Sequence, residues 1–201
     1  QAIPRQDQSA PRSVTPQKVI NGIGIKPLGQ QDLYVGHLKN GRISGMGYFL
    51  GAEPRLRCEG EWIDGGMSGS GRQWGPRRGE RYVGEYSRGA KSGAGQFEDG
   101  SGSVVRGTFV DGEIHGFCQV VDKERGTVTR GHFREGVLNG FGSIESRDTD
   151  YAYHGQFTEG SYQGRGQERI RGKVYCGEFV RGERQGLGSY QDAGSTFLGR
   201  W

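Results

Sequence analysis

The chain is poor in the residues that build a thick hydrophobic core. Of its 201 residues only 31% are hydrophobic, and Leu, Ile, Val and Phe together number 39, just under a fifth. So low a fraction signals disorder when one charge sign dominates, but 27 Lys and Arg stand against 23 Asp and Glu, a net charge of +4. Charge does not forbid folding, although a thick conventional core is not expected. Cysteine is scarce too. Cys58, Cys118 and Cys176 are odd in number, far apart and without a CxxC pair or a close His, so neither a disulfide framework nor a zinc site follows. Apolar runs are of the order of Tyr48-Phe49-Leu50, far short of the roughly 20 residues of a transmembrane helix. The chain does not start on Met and has no signal-peptide pattern, which fits a piece of a longer protein. Reduced thiols and the lack of an Asn-x-Ser/Thr site point to the cytoplasm.

Catalytic residues are equally thin. The four histidines, His37, His115, His132 and His154, are scattered, and a catalytic site needs a converging constellation. His37 and His132 share a sequence position that elsewhere holds Glu61, Glu85, Thr108, Gln156 and Glu178, which reads as a solvated face. No nucleophile, metal site, cofactor site or acid-base pair is expected, and the chain reads as a non-enzyme.

What the chain has in abundance is glycine, 40 residues, and the glycine is periodic. Tyr34-Val35-Gly36-His37-Leu38 returns as Cys58-Glu59-Gly60-Glu61-Trp62, Tyr82-Val83-Gly84-Glu85-Tyr86 and Val105-Arg106-Gly107-Thr108-Phe109. It continues as Thr129-Arg130-Gly131-His132-Phe133, Tyr153-His154-Gly155-Gln156-Phe157 and Tyr175-Cys176-Gly177-Glu178-Phe179. From Gly36 to Gly199 the central glycine recurs every 22 to 24 residues. Each unit then carries Gly-x-x-x-Gly-x-Gly, as in Gly41/Gly45/Gly47, with one departure at Cys118.

In an extended strand residues i, i+2 and i+4 share a face, so two bulky side chains flank a glycine and fold over it. The pairs Asn40-Gly41, Asp64-Gly65, Asp111-Gly112, Glu135-Gly136 and Glu159-Gly160 supply the positive φ of a tight reversal. Each unit therefore predicts a β-hairpin. Phe49, Gln73, Phe97, Val120, Ile144, Glu168 and Tyr190, two residues past the last glycine, add a further column to the same face. A helix is excluded, because each interior glycine costs it about 1 kcal/mol and no 3.6-residue stripe exists. The expected fold is all-β, an elongated single-layer antiparallel sheet of consecutive hairpins, curved or twisted with a groove. Fourteen strands would extend about 65 to 70 Å.

Residues 1–18 read as a flexible tail and 19–201 as the array: a half-repeat over 19–33, seven repeats over about 34–196 and the start of an eighth at 197–201. Phe197 and Trp201 lie on that opening strand. Either the chain boundary cuts a repeat, or the unpaired end strands are edges for self-association into a dimer.

These motifs resemble the MORN repeat (membrane occupation and recognition nexus), whose pattern is Tyr-x-Gly-x-Trp-x-x-Gly-x-x-x-Gly-x-Gly in units of about 23 residues. Cys58, Val105, Thr129 and Cys118 depart from it. The resemblance implies adaptor or targeting work, with many members in cilia, flagella or the cell cortex, or peripheral binding to acidic phospholipids such as phosphoinositides. It also implies the alternative of a targeting module of a larger enzyme, since similar repeats are joined to lipid kinases and to a lysine methyltransferase.

Two sets of residues are candidates for binding. Trp62, Tyr82, Tyr86, Phe109, Phe133, Tyr153, Phe157, Tyr175 and Phe179 should line one face, either as a core or as a groove for an apolar helix or extended peptide of a protein partner. Arg72, Arg77, Arg78 and Arg81 cluster around Trp74 and Pro76 with only Glu80 opposing them, which suits acidic lipid headgroups or an acidic partner. Residues 33–201 carry only +2, too little for a nucleic-acid binder.

Overall fold

A computed structural model describes residues 21–29, 31–53 and 56–201. The tail expected over 1–18 lies outside the described residues. The described residues form one antiparallel sheet of sixteen strands in chain order, with each strand hydrogen-bonded only to its sequence neighbours and the two ends apart. The strands are β1 (Gly22–Pro27), β2 (Leu33–Lys39), β3 (Arg42–Leu50), β4 (Arg57–Ile63), β5 (Gly66–Trp74), β6 (Glu80–Ser87), β7 (Ala90–Asp99) and β8 (Val104–Val110). They continue with β9 (Glu113–Asp122), β10 (Thr127–Arg134), β11 (Val137–Ser146), β12 (Tyr151–Thr158), β13 (Ser161–Ile170), β14 (Lys173–Val180), β15 (Glu183–Asp192) and β16 (Ser195–Arg200). At about 4.8 Å per strand the sheet is about 70 Å along its hydrogen-bonding direction.

The three glycines of Gly-x-x-x-Gly-x-Gly have three different jobs. The first closes a two-residue turn: Asn40 (φ 51°) and Gly41 (φ 71°) both take positive φ, as a type I′ hairpin requires. The second sits in a bulge. Gly36 pairs with Gly47 and Leu38 with Ile43, so Ser44, Gly45 and Met46 together oppose His37, and Gly45 has φ 83°. All seven hairpins repeat this bulge, which bends and twists every unit at one level. The third glycine joins the opening one in a row that crosses the sheet. Gly24 pairs with Gly36, Gly36 with Gly47 and Gly47 with Gly60, and so on to Gly199, interrupted only by Cys118.

Strand β1 pairs along the whole of its length with β2, so the half-repeat is a working strand of the sheet. The links between hairpins explain the shortening repeat. The last two are the two-residue turns Arg171-Gly172 and Ala193-Gly194, where earlier units use longer loops.

Large side chains flank the glycine row on one face. Tyr34, Leu38, Ile43, Trp62, Met67, Tyr82, Tyr86 and Phe109 form one buried cluster. Cys118, Phe133, Leu138, Tyr153, Phe157, Tyr175 and Phe179 form a second, and Ile114 touches both. A single layer buries these residues because Tyr34, Tyr82, Tyr153, Tyr175, Met67, Cys118 and Leu138 lie over the glycine row and the remaining rings pack against them and one another.

Candidate functional site

All nine rings expected on one face are there, and all nine are buried. Tyr153 and Tyr175 retain no exposed area. Tyr82 meets Tyr86 at 5.2 Å and Phe109 at 5.1 Å, edge to face; Tyr153 meets Phe157 at 5.1 Å and Phe179 at 5.0 Å. Tyr175 packs on Phe179 at 5.3 Å, Trp62 on Tyr34 at 5.6 Å, and Phe133 lies in the second cluster. The ring faces are occupied by one another. The stripe is the core of the sheet, and the open groove lies elsewhere.

The four tyrosines that open a repeat also lock their own strands, whereas Tyr86 reaches across to the Gln73 side chain on β5. Tyr34 donates to the carbonyl of His37 at 3.2 Å, Tyr82 to Glu85 at 3.1 Å, Tyr153 to Gln156 at 3.2 Å and Tyr175 to Glu178 at 3.2 Å. Burial pushes the Tyr82 and Tyr153 hydroxyls up to about 12.

The opposite face carries the open site. A groove of about 820 Å³ crosses the strands at the level of the glycine row, with Gly36, Gly47, Gly60, Gly71 and Gly84 along it. Its walls are the out-of-phase residues, among them Val35, Met46, Tyr48, Arg72, Val83 and Ala94. Met46 is 60% exposed, Tyr48 55% and Val83 44%, exposed apolar side chains of the kind that mark binding sites, with the strands of Glu59 and Arg72 between Tyr48 and Val83. Glu59 and Glu85 also line it, and Glu59 pairs with Arg72 at 3.4 Å.

Arg72 and Val83 are shared with a second cleft, of about 460 Å³, that includes Trp74 and Arg81. Trp74 is shared in turn with a third, of about 330 Å³, bounded by Arg57, Arg77, Arg78 and Glu80. The three clefts adjoin at these shared walls and together trace an L-shaped trough on one face. Its apolar arm crosses the strands of the first three repeats, and its basic arm runs along β5 and β6 to the loop at 75–79. The four arginines singled out from the sequence line the basic arm. Arg81 makes two hydrogen bonds to Glu98, at 2.9 and 2.8 Å, which hold the Glu98 carboxyl below its usual range. The Arg57 guanidinium lies 4.3 Å over the Trp74 ring. Arg77 and Arg78 are exposed and, among the described residues, form no ion pair.

Val35, Met46, Tyr48, Val83, Trp74 and Arg57 were not singled out as site residues by sequence reasoning. The signal was the second residue of Tyr-x-Gly and of Gly-x-Gly, apolar at Val35, Met46 and Val83 but polar at His154, Cys176 and Arg165.

At the far end Phe197 is 58% exposed, while Trp201 extends the pairing with β15 through Gly186 and turns its ring onto Tyr175 at 4.9 Å. His37, His115, His132 and His154 are all exposed and spread across the sheet. Among the described residues no three His, Cys, Asp or Glu gather as a metal site would require, and no helix is long and apolar enough to cross a membrane.

No curated protein matches the chain. A family model of the MORN repeat matches residues 34–52, 58–78, 82–104, 106–120, 130–151 and 175–196. The unmatched stretch between the last two contains Tyr153, Gly155 and Phe157 and folds as the same bulged hairpin. With more than half of its residues matched and the same hairpin repeated throughout, the chain belongs to the MORN-repeat family.

Proposed function

We propose that this chain is a non-enzymatic scaffold that binds a partner protein on the open trough of its first three repeats, at a cytoskeletal or membrane-associated structure. The observation that carries the reading is an exposed, largely apolar groove that adjoins, through Arg72 and Val83, clefts built of Trp74 and arginines. An interface needs an apolar centre and a polar, orienting margin, and the trough has both. The nine rings take part as the frame that holds the trough rather than as contacts, since their faces are buried. Whole-chain capture of binding proteins, compared with the Val83→Asp and Met46→Asp variants, tests it. Loss of the same captured set in both variants, with unchanged circular dichroism, is the expected result; an unchanged set would remove the trough from the function.

A second reading, binding of acidic phospholipid through Arg72, Arg77, Arg78 and Arg81, is favoured by the exposed and unpaired state of Arg77 and Arg78 among the described residues. Sedimentation with phosphatidylserine vesicles at low and high salt separates it from the first. Lipid binding falls steeply with salt and with Arg77→Glu/Arg78→Glu, and it tolerates Val83→Asp.

A further inference from the structure

We infer that the occupant of the trough is an extended peptide segment of about twelve residues, with an apolar run in the arm across the strands and acidic residues in the arm that ends at Arg77 and Arg78. The inference rests on the reading of the trough as the partner site and adds the partner's chemistry. From Ile23 on β1 to Ala94 on β7 the apolar arm spans six strand spacings, about 29 Å, the length of about nine extended residues. From Arg72 the basic arm follows β5 to its end at Trp74, about 7 Å or two to three more residues, and opens onto the loop at 75–79. A straight α-helix fills one arm and cannot follow the corner, whereas an extended chain bends there at any residue.

Charge assigns the second arm. Arg72 and Arg81 already face Glu59 and Glu98, but Arg57, Arg77 and Arg78 crowd the end of the arm with Glu80 the one carboxylate lining it among the described residues. Carboxylates of an incoming segment relieve that crowding and form charge-assisted, bidentate hydrogen bonds with the guanidinium groups. The chain's own residues 1–20 are the wrong occupant, since Arg5, Arg12 and Lys18 against Asp7 give them a net charge of +2.

Selection of a random twelve-residue displayed peptide library on the whole chain tests this, with the enriched peptides synthesised and titrated by fluorescence anisotropy. The expected peptides combine an apolar run with Asp or Glu at one end. Their affinity falls about tenfold or more in Arg77→Glu/Arg78→Glu and in Val83→Asp, and weakens with salt. Enriched peptides that need Val83 but lack acidic residues and ignore the arginine variant overturn this inference and leave the partner site standing. A selection without any trough-dependent peptide overturns both. Phosphatidylserine vesicles that bind through Arg77 and Arg78 where no acidic peptide does assign the arginines to lipid and overturn the inference as well.

Discussion

Four repeats of this protein carry the family's opening tyrosine and three do not, and the two groups solve one packing problem from opposite strands. In the repeats of Tyr34, Tyr82, Tyr153 and Tyr175 the ring lies over the paired glycines: a Cβ at Gly155 or Gly84 would come within 2.6 Å of the tyrosine hydroxyl of its own strand. Cys58, Val105 and Thr129 are too short to reach. There the space is filled from the partner strand, by the Met67 methyl over Gly60 and Gly71, by Cys118 over Gly107, and by Leu138 over Gly131 and Gly142. Cys118 even replaces the hydroxyl. Its thiol donates towards the carbonyls of Thr108 and His115, and Tyr175 sends its hydroxyl to the equivalent Glu178 and Gln185. The departures from the repeat pattern are therefore coupled pairs, and what every repeat keeps is a filled volume above the paired positions of the glycine row.

The comparison breaks most severely where the rings of both groups meet. Tyr86→Ala and Phe133→Ala each remove a buried ring, one from each cluster, and should cost about 3–5 kcal/mol. The urea midpoint and partner binding should fall together. A binding loss with an unchanged midpoint would instead make these rings contacts.

Converting one group into the other is the sharper test. Tyr82→Val should cost about 2–3 kcal/mol for the emptied volume. Adding Gly95→Cys recreates the Val105 and Cys118 pair of the fourth repeat, because Gly95 opposes Gly84 as Cys118 opposes Gly107. The double variant should recover about half of the loss, while Gly95→Cys alone, beneath the Tyr82 ring, should destabilise. Additive effects in a double-mutant cycle would dissolve the coupling.

The groups also differ in alkali. Burial raises the Tyr82 and Tyr153 hydroxyls from 10.0 to about 12 and the Cys58 thiol from 9.0 to about 11. The unfolded chain releases these protons first, so stability is intact below pH 9.0 and is lost as pH rises through the folded values. Tyrosinate absorbance should rise together with loss of β-structure. Titration of all nine tyrosines near their ordinary value, with the sheet intact, would contradict the packing. Val105 and Thr129 contribute nothing to this transition, so a Tyr82→Val chain should show a smaller alkaline loss.

The smallest effect concerns the turns. Asn40 and Asp64 tolerate positive φ, but Arg88 and Arg181 hold the same place at φ 51°. Arg88→Asn should raise stability by about 0.5–1 kcal/mol, visible as a higher urea midpoint, whereas Asn40→Arg should lower it.

The repeat, the hairpins and the identity of the buried face were legible because strand periodicity and glycine spacing are local properties of the chain. Tyr34, Gly36 and Leu38 must share a face whatever else happens, and Asn40-Gly41 must turn. The arginine set around Trp74 was legible as a charge cluster for the same reason. The bulge at Gly45 was not, since an unpaired residue is defined only by the register of two strands. Nor was the substitution of Cys118 for a tyrosine hydroxyl, which depends on atoms thirteen residues from the Val105 that lacks one.

The sequence by itself determined a MORN-type sheet of hairpins and which side chains lie over its glycine row. Only the tertiary structure decided that those rings are saturated by their neighbours and that the open surface is the other face. Burial is a property of the assembled array: a strand's periodicity says which residues share a side, but how much of that side remains exposed depends on what the strands before and after it bring across the glycines.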